Sequence, residues 1–344
     1  MKRFKTIRNL LVIAGGLMVT GYLRMPVEQR FTEDLRERKI VQPRIESDAW
    51  SEMGQTSLAG TFGGLRTVMA SMLSLKAQSH FEENEWYDLK KDYEVITALD
   101  PYNAFYWSHG GWHIGYNAAS WARSNREFSP ARRRIMEMDF LEAGDEFYRK
   151  GLKYLPEEES LWFEIGSMWS NEYKRPDFER AAEAFEKARD SGNPVYRRRY
   201  LFTIARIPGR EIEAYEEVIR LLTENPRHLA VPTFRCLLIV LPTNPKISDI
   251  EIKPTIDGVF RTREKAYQDL FNYRQRVLEE GFYAGNIDGI LLNLIGELGV
   301  PDELNPFLNP SSHRIHTEHW RESDDQSGPQ VPDWMLKKKE EGAR

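Results

Sequence analysis

The chain has 344 residues, of which 41% are hydrophobic and 29% are charged, and it contains one cysteine. Its 48 basic and 53 acidic side chains give a formal net charge of −5, without the basic excess that is typical of nucleic-acid-binding proteins. The apolar content excludes an intrinsically disordered chain, and the lone cysteine excludes an internal disulfide and a cysteine-rich metal site. Composition therefore predicts a folded protein with no nucleic acid partner.

The amino-terminal end combines a basic flank with an apolar run. Residues 2–8 contain four basic side chains and no acidic one, and residues 9–23 are uncharged. At about 1.5 Å per residue this run spans about 22 Å, and snorkelling of Arg8 and Arg24 can extend it toward the ~30 Å hydrocarbon layer. No clear small-x-small cleavage site follows it. Residues 1–24 are therefore predicted to form an uncleaved signal anchor, with a cleaved signal peptide or a buried helix of a soluble protein as the alternatives.

The basic flank also predicts an orientation in the membrane. Basic flanks stay on the cytoplasmic side, so the rest of the chain is expected on the other side. We therefore predict a single-pass protein of the bacterial inner membrane, with most of the chain in the periplasm. Cys236 stands in the apolar run FRCLLIVL, which favours a buried core thiol over a reactive one in that oxidising compartment.

The middle of the chain has the pattern of paired helices. Residues 25–57 are polar with scattered apolar positions and are predicted to form a linker. In residues 58–226 the apolar side chains recur with a helical period, and short alternating β-branched runs are nearly absent. The helical segments end at prolines, namely Pro101, Pro156, Pro194 and Pro226. This pattern predicts an all-α protein in which successive helices pair across turns.

Large and small apolar residues alternate in a fixed order within these pairs. The best unit has Trp162, Ile165, Gly166 and Trp169 on its first helix and Ala181, Phe185 and Ala188 on its second. This order resembles the tetratricopeptide repeat (TPR), with a short insertion around residues 174–176. A preceding unit matches at Trp107, Gly111, Gly144, Tyr148 and Gly151, but its halves are far apart in the sequence. The segment between them is either an inserted loop or an extension of both helices.

A narrower resemblance rests on three segments that follow the predicted anchor. These segments read GGLR from residue 63, WYDLKKDYEVITALDPYNAFYW from residue 86 and GGWHIGYN from residue 110. Together they are similar to membrane-anchored bacterial TPR proteins of largely undefined function. The resemblance implies a helical-hairpin solenoid over residues 58–226 and no particular reaction. Residues 227–310 are predicted to form capping helices, and residues 311–344 a polar, flexible tail.

The TPR resemblance also implies where a partner binds. Stacked units present a concave surface that is lined by their first helices. On the register of the best unit this surface includes Phe163, Ser167 and Asn171, and in the preceding unit it includes Trp112 and Tyr116. The chain is thus predicted to be a membrane-anchored scaffold that binds a protein or peptide, not an enzyme, without a metal or other cofactor. The sequence leaves the partner and the oligomeric state open.

Two histidine groups support a rival hypothesis. His109 and His113 are four residues apart, and His313, His316 and His319 follow one another at intervals of three. Either spacing can place imidazoles on one helix face to bind a metal, although the first group lacks the glutamate of HExxH enzymes. The rival function is a metal-dependent enzyme of the bacterial envelope. A further alternative is an integral subunit of an inner-membrane complex.

Other sequence features have structural interpretations. The glycine-rich residues 60–64 lack the GK[ST] ending of a P-loop, which favours a helix entry over a phosphate site. Basic triplets at residues 132–134, 197–199 and 337–339 are widely separated. Their separation argues against one nucleic-acid-binding stripe and favours solvated faces.

Overall fold

The computed structural model describes residues 2–39, 41–43, 65–247 and 254–309, with side chains from residue 19 onward except at residue 190. Every regular element in these ranges is a helix, which confirms the all-α prediction. The chain divides into two compact units, Met1–Glu164 and Ile165–Arg344.

Helix α1 runs from Lys2 to Glu37 and contains Pro26. It continues past residue 24, so the first part of the predicted linker is helical. In the part of the chain that the structure describes, no helix combines the length and the apolar character that a membrane crossing needs. The side chains of residues 2–18, which carry most of the predicted anchor, lie outside the described part, as do residues 44–64.

The first unit is built from helical hairpins. After α1 its helices are α2 (Arg66–Glu82), α3 (Trp86–Leu99), α4 (Ala104–Trp112), a π-helical segment (His113–Ala118), α5 (Ala119–Ser124), α6 (Pro130–Tyr154) and the beginning of α7 (Glu159–Trp169). Helix α2 packs on α3, and α6 packs on α4, the π-helical segment and α5. The apolar stripe of α3 is buried, as its helical spacing predicts: Trp86, Leu89, Tyr93, Ile96 and Leu99.

Local signals set the helix ends in this unit. Asn84 adopts a left-handed conformation, with φ of 60°, in the turn between α2 and α3. The side chain of Asn103 caps α4 by accepting from the backbone N–H of Phe105. Ser129 caps α6, and Pro130 occupies its first turn. Because α5 continues to Ser124 and α6 begins at Pro130, the segment between the halves of this repeat extends both helices and is not an inserted loop.

The second unit continues the helical pattern. It contains the rest of α7, then α8 (Phe178–Ala188), α9 (Pro194–Ile204), α10 (Glu211–Glu224), α11 (Pro232–Val240), α12 (Ile256–Val259), α13 (Arg263–Glu280) and α14 (Ile287–Leu298). Helix α8 packs on α9, α9 on α10, α10 on α11, and α13 on both α11 and α14. Cys236 on α11 is fully buried, and burial raises the pKa of its thiol well above the ordinary value, which confirms the prediction of a core thiol.

Two glycines allow close helix packing. A Cβ atom added at Gly111 would lie 2.4 Å from the Tyr148 ring, so α4 and α6 approach each other more closely than any other residue would permit. A Cβ atom at Gly166 would lie 2.7 Å from the Phe185 ring, which brings α7 similarly close to α8. Both pairs occupy small and large positions of the repeat pattern in the sequence.

A buried ion-pair network joins distant segments of the second unit. The Arg206 side chain is 5% exposed and lies 2.6 Å from Glu172 and 2.7 Å from Glu280. Its guanidinium lies 4.0 Å from the ring centroid of Phe282 and 5.2 Å from that of Phe178. The arginine therefore links the end of α9 to the turn after α7 and to the end of α13.

Candidate functional site

One face of α4 carries three aromatic rings in contact. Phe105, His109 and Trp112 are four and three residues apart, so they follow one another along one side of the helix. The His109 ring is stacked on Phe105, with centroids 5.1 Å apart, and on Trp112, with centroids 6.2 Å apart. Phe105 is 59% exposed and Trp112 is 43% exposed. We call these three residues the aromatic strip.

The strip rests on a buried layer of aromatic side chains. The Tyr93 hydroxyl is 2.6 Å from Nδ1 of His109, which fixes the ring in the middle of the strip. Beneath it lies His113, which is 3% exposed and has its ring centroid 4.5 Å from that of His109 and 4.6 Å from that of Phe81. The Asn117 side chain, 3.1 Å from Nδ1 of His113, holds the lower ring. The exposed rings are therefore supported by a packed base.

The helix that carries the strip changes its winding at His113. Residues 113–118 form a π-helical segment between α4 and α5. It follows Gly110 and Gly111, where the rings of Tyr93 and Tyr148 occupy the space of a side chain. A π-helical turn inserts a residue into the hydrogen-bond pattern and is common at functional sites. Here Trp112 lies at the surface at the end of α4, and His113, the first residue of the π-helical segment, is buried.

The groups of this site are uncharged at neutral pH. Burial, together with the neighbouring His109, lowers the pKa of His113 to about 4. Burial also lowers the pKa of His109, and it raises that of Tyr93 to about 12. The strip and its base therefore form a neutral, mainly apolar surface that suits apolar side chains of a partner.

The buried neutral His113 predicts a pH dependence of stability. Its pKa falls from 6.5 to about 4 on folding, so the unfolded chain binds more protons between these values. Stability is therefore expected to fall as the pH is lowered from 6.5 to 4, and His113→Phe should flatten this part of the profile. Urea denaturation at a series of pH values measures the effect. An unchanged slope in the variant would show that other groups dominate the titration.

The predicted partner-binding residues have different surroundings. Trp112 is exposed and belongs to the aromatic strip, whereas Tyr116 is half-buried near the Tyr148 hydroxyl, whose pKa it helps to raise. Phe163, Ser167 and Asn171 are half-buried on α7 or just after it. The Asn171 side chain accepts a hydrogen bond from the backbone N–H of Tyr173, so it also shapes the turn. The binding role of these five residues stays a prediction.

Phe105 and His109 belong to the strip but are absent from the binding residues that the sequence predicts. The sequence does show that the rings of Phe105, His109 and Trp112 follow one another at helical spacing. For His109 the sequence instead suggests a metal pair or packing. Its hydrogen bond to Tyr93 depends on the packing of α3 against α4, which spacing along one helix does not reveal.

The rival metal hypothesis rests on few groups. His109 and His113 are adjacent, but the described residues contain no cluster of three or more histidine, cysteine or acidic side chains that could hold a metal. The Nδ1 atoms of both rings are engaged by Tyr93 and Asn117. The second group, His313, His316 and His319, lies outside the described residues, as does the glycine-rich segment 60–64.

Comparison with known proteins adds no assignment to this geometry. No protein family, curated protein or solved structure matches the chain.

Proposed function

We propose that this chain is a TPR-like scaffold, anchored in the bacterial inner membrane by residues 1–24, that binds a protein or peptide partner through the aromatic strip. The observation that carries the proposal is the stack of Phe105, His109 and Trp112, which exposes two large rings on a packed base. Large aromatic residues are the commonest anchors of protein interfaces. Because the stack already restricts these side chains, binding costs little further conformational entropy.

The chemistry of the strip favours an apolar segment of the partner. The strip has no charged group at neutral pH, since burial keeps His109 in its neutral form. An exposed apolar surface that is backed by a packed core is typical of an interaction site. Proline, leucine or aromatic side chains of a partner can cover the faces of Phe105 and Trp112 without leaving a buried charge unpaired.

The hairpin organisation supports the TPR-like part of the proposal. In each unit, successive helices pack side by side, and small residues such as Gly111 and Gly166 lie at the closest approaches. Helices α3, α6, α8 and α10 each end shortly before one of the prolines that mark the repeats in the sequence. In such arrays the first helix of each hairpin lines the binding surface, and α4, which carries the strip, is a first helix.

Removing the two exposed rings is expected to weaken partner binding without unfolding the protein. The variant carries Phe105→Ala and Trp112→Ala, and a photo-crosslinking amino acid at Ser108, between them on the same face, reports the contact in intact membranes. Loss of two interface anchors should lower the crosslinking yield roughly tenfold or more. Mass spectrometry of the crosslinked product identifies the partner.

Tyr173 provides the matched control. It is 79% exposed and lies outside the strip, so Tyr173→Ala should leave the crosslink at position 108 unchanged. Thermal melting followed by circular dichroism checks the fold of each variant. The proposal fails if the strip variant melts much earlier than the parent protein, because the rings would then be core. It also fails if Tyr173→Ala lowers the crosslinking yield at position 108 as much as the strip variant does.

A further inference from the structure

A carboxylate at the start of α7 has no basic partner within the described part of the chain. Glu164 is half-buried, whereas Leu161 and Ile165 on the same helix are fully buried. It therefore lies at the edge of the buried face of α7, next to Phe163, which the repeat register places on the predicted concave surface. Among the described residues, Glu164 forms no ion pair and no side-chain hydrogen bond.

The charge of Glu164 is left uncompensated, unlike that of a comparable glutamate. Glu213 is also half-buried, and its hydrogen bond from Arg210 lowers the pKa of the carboxyl. The pKa of Glu164 is instead raised by burial. The Arg149 side chain on the neighbouring α6 is already paired with Asp145, at 2.7 Å. The ionised form of Glu164 would therefore gain from a cation supplied by a ligand.

A buried tyrosine hydroxyl lies near this carboxylate. Tyr148 on α6 is fully buried, and its ring is so close to Gly111 that an added Cβ atom would lie 2.4 Å from it. The hydroxyl has no hydrogen-bond partner among the described residues. Burial raises the pKa of Tyr148 well above its ordinary value, and the neighbouring Glu164 and Tyr116 raise it further. The hydroxyl at the end of the ring is therefore close to both side chains and free to donate.

These three residues form a small polar site beside the aromatic strip. We call Glu164, Tyr148 and Tyr116 the glutamate site. Tyr116 follows Trp112 by four residues, about one helical turn, so the site adjoins the end of the strip. Glu164 and Tyr116 are half-buried, and the Tyr148 hydroxyl lies beneath them. A ligand would contact the carboxylate from the surface, while the Tyr148 hydroxyl donates to it from the buried side.

The chemistry of the glutamate site selects a positively charged organic group. Ammonium and guanidinium groups donate several charge-assisted hydrogen bonds to a carboxylate. A neutral apolar group would cover the carboxylate and leave it without a partner. A divalent metal ion lacks ligands, since the described residues contain no cluster of three or more histidine, cysteine or acidic side chains that could hold one. The long apolar stem of lysine or arginine also suits the adjoining rings.

We infer that the glutamate site binds a lysine or arginine side chain of the same peptide segment that covers the aromatic strip. This inference rests on the proposed function and adds a second feature to the partner, which carries a basic residue beside its apolar anchors. The basic group supplies the cation that Glu164 lacks within the described residues. Its stem lies along Tyr116, toward Trp112.

The test selects peptides from a displayed library of short random sequences on the full-length protein in neutral detergent. Peptides that bind should share apolar residues and a lysine or arginine. The most enriched peptide is synthesised with a fluorescein label, in one form with its basic residue and in another with norleucine in its place. Fluorescence anisotropy should show that the norleucine form binds roughly tenfold more weakly. With Glu164→Gln the two forms should bind about equally, because the carboxylate that distinguishes them is gone.

Two further variants separate the role of the site from a general loss of charge or structure. Glu146→Gln removes an exposed carboxylate from α6 and should keep the tenfold difference between the two peptides. Tyr148→Phe removes only the hydroxyl, so it should reduce the difference to roughly threefold and leave binding of the norleucine form unchanged. Thermal melting should show no loss of stability in Glu164→Gln, since this variant removes a half-buried charge without a partner.

The outcomes distinguish this inference from the proposed function. Selected peptides that depend on Phe105 and Trp112 but lack a basic residue overturn the inference alone, as does equal discrimination by Glu164→Gln and the parent protein. Peptides that bind the strip variant as tightly as the parent contradict the proposed function, and a library without any binding peptide contradicts both. Spermidine is the small-molecule probe. If it binds more tightly than the peptide, with the same dependence on Glu164, the ligand is a free cation and the inference is overturned.

Discussion

Gly111→Ala is expected to lower the free energy of unfolding by about 1–3 kcal/mol. The added Cβ atom would lie 2.4 Å from Cε1 of Tyr148, a fully buried residue of α6. Alanine normally favours a helix over glycine by about 1 kcal/mol, so the steric cost must exceed this gain. Either the Tyr148 ring or the α4 backbone has to move. Urea denaturation followed by circular dichroism measures the change.

Gly296→Ala serves as the control for Gly111→Ala. Gly296 lies within α14 and is exposed, and a Cβ atom added there would meet no heavy atom within 4 Å. The same substitution there should stabilise the protein by about 0.5–1 kcal/mol, since only the helix propensity changes. If both variants shift stability in the same direction, the close approach of α4 and α6 does not limit the side chain at position 111.

The helical hairpins could be predicted because the sequence features that specify them lie within short stretches of the chain. The apolar stripe of α3 recurs with the period of an α-helix, and every residue of the stripe is buried. Proline after each second helix marks a boundary that depends only on the backbone chemistry of one residue. The sequence around Ser129 and Pro130 has the form of a helix start, but whether the preceding residues form a loop depends on how far α5 continues.

The winding of α4 could not be predicted in the same way. The π-helical segment begins at His113, shortly after Gly110 and Gly111. Rings from α3 and α6 occupy the space that a side chain at either glycine would need. Those contacts join residues far apart in the sequence, and helical spacing does not encode them. The repeat register places Trp112 at the surface, whereas the orientation of His109 depends on the Tyr93 hydroxyl.

The Arg206 network shows the same limit in the second unit. Arg206 lies 34 positions after Glu172 and 74 positions before Glu280 in the sequence. None of the three residues belongs to a recognisable motif. Only the packing of α9, α13 and the turn after α7 brings these charges together. From sequence alone a charged residue near a helix end is expected in solvent, although this arginine is nearly fully buried.

Arg206→Met is expected to lower the free energy of unfolding by about 3–5 kcal/mol at neutral pH, because it removes one partner of a buried ion pair. Methionine keeps much of the apolar volume between Phe178 and Phe282 but removes the cation beside Glu172, while Glu280 keeps its ion pair with Arg276. Arg263→Met is the control. Arg263 also contacts two carboxylates, those of Asp257 and Glu297, but its side chain is 47% exposed, so water replaces the lost pairs and the effect should be small.

The pH dependence separates a loss of charge pairing from a loss of packing. Burial already raises the pKa of Glu172, even with Arg206 beside it, and removing the cation should raise it further. The folded variant then binds more protons than the unfolded chain, so its stability rises as the pH is lowered. The difference between Arg206→Met and the parent protein should shrink from pH 7 to about pH 5. A difference that stays constant over this range would mean that the arginine acts through its contacts with the phenylalanine rings and not through its charge.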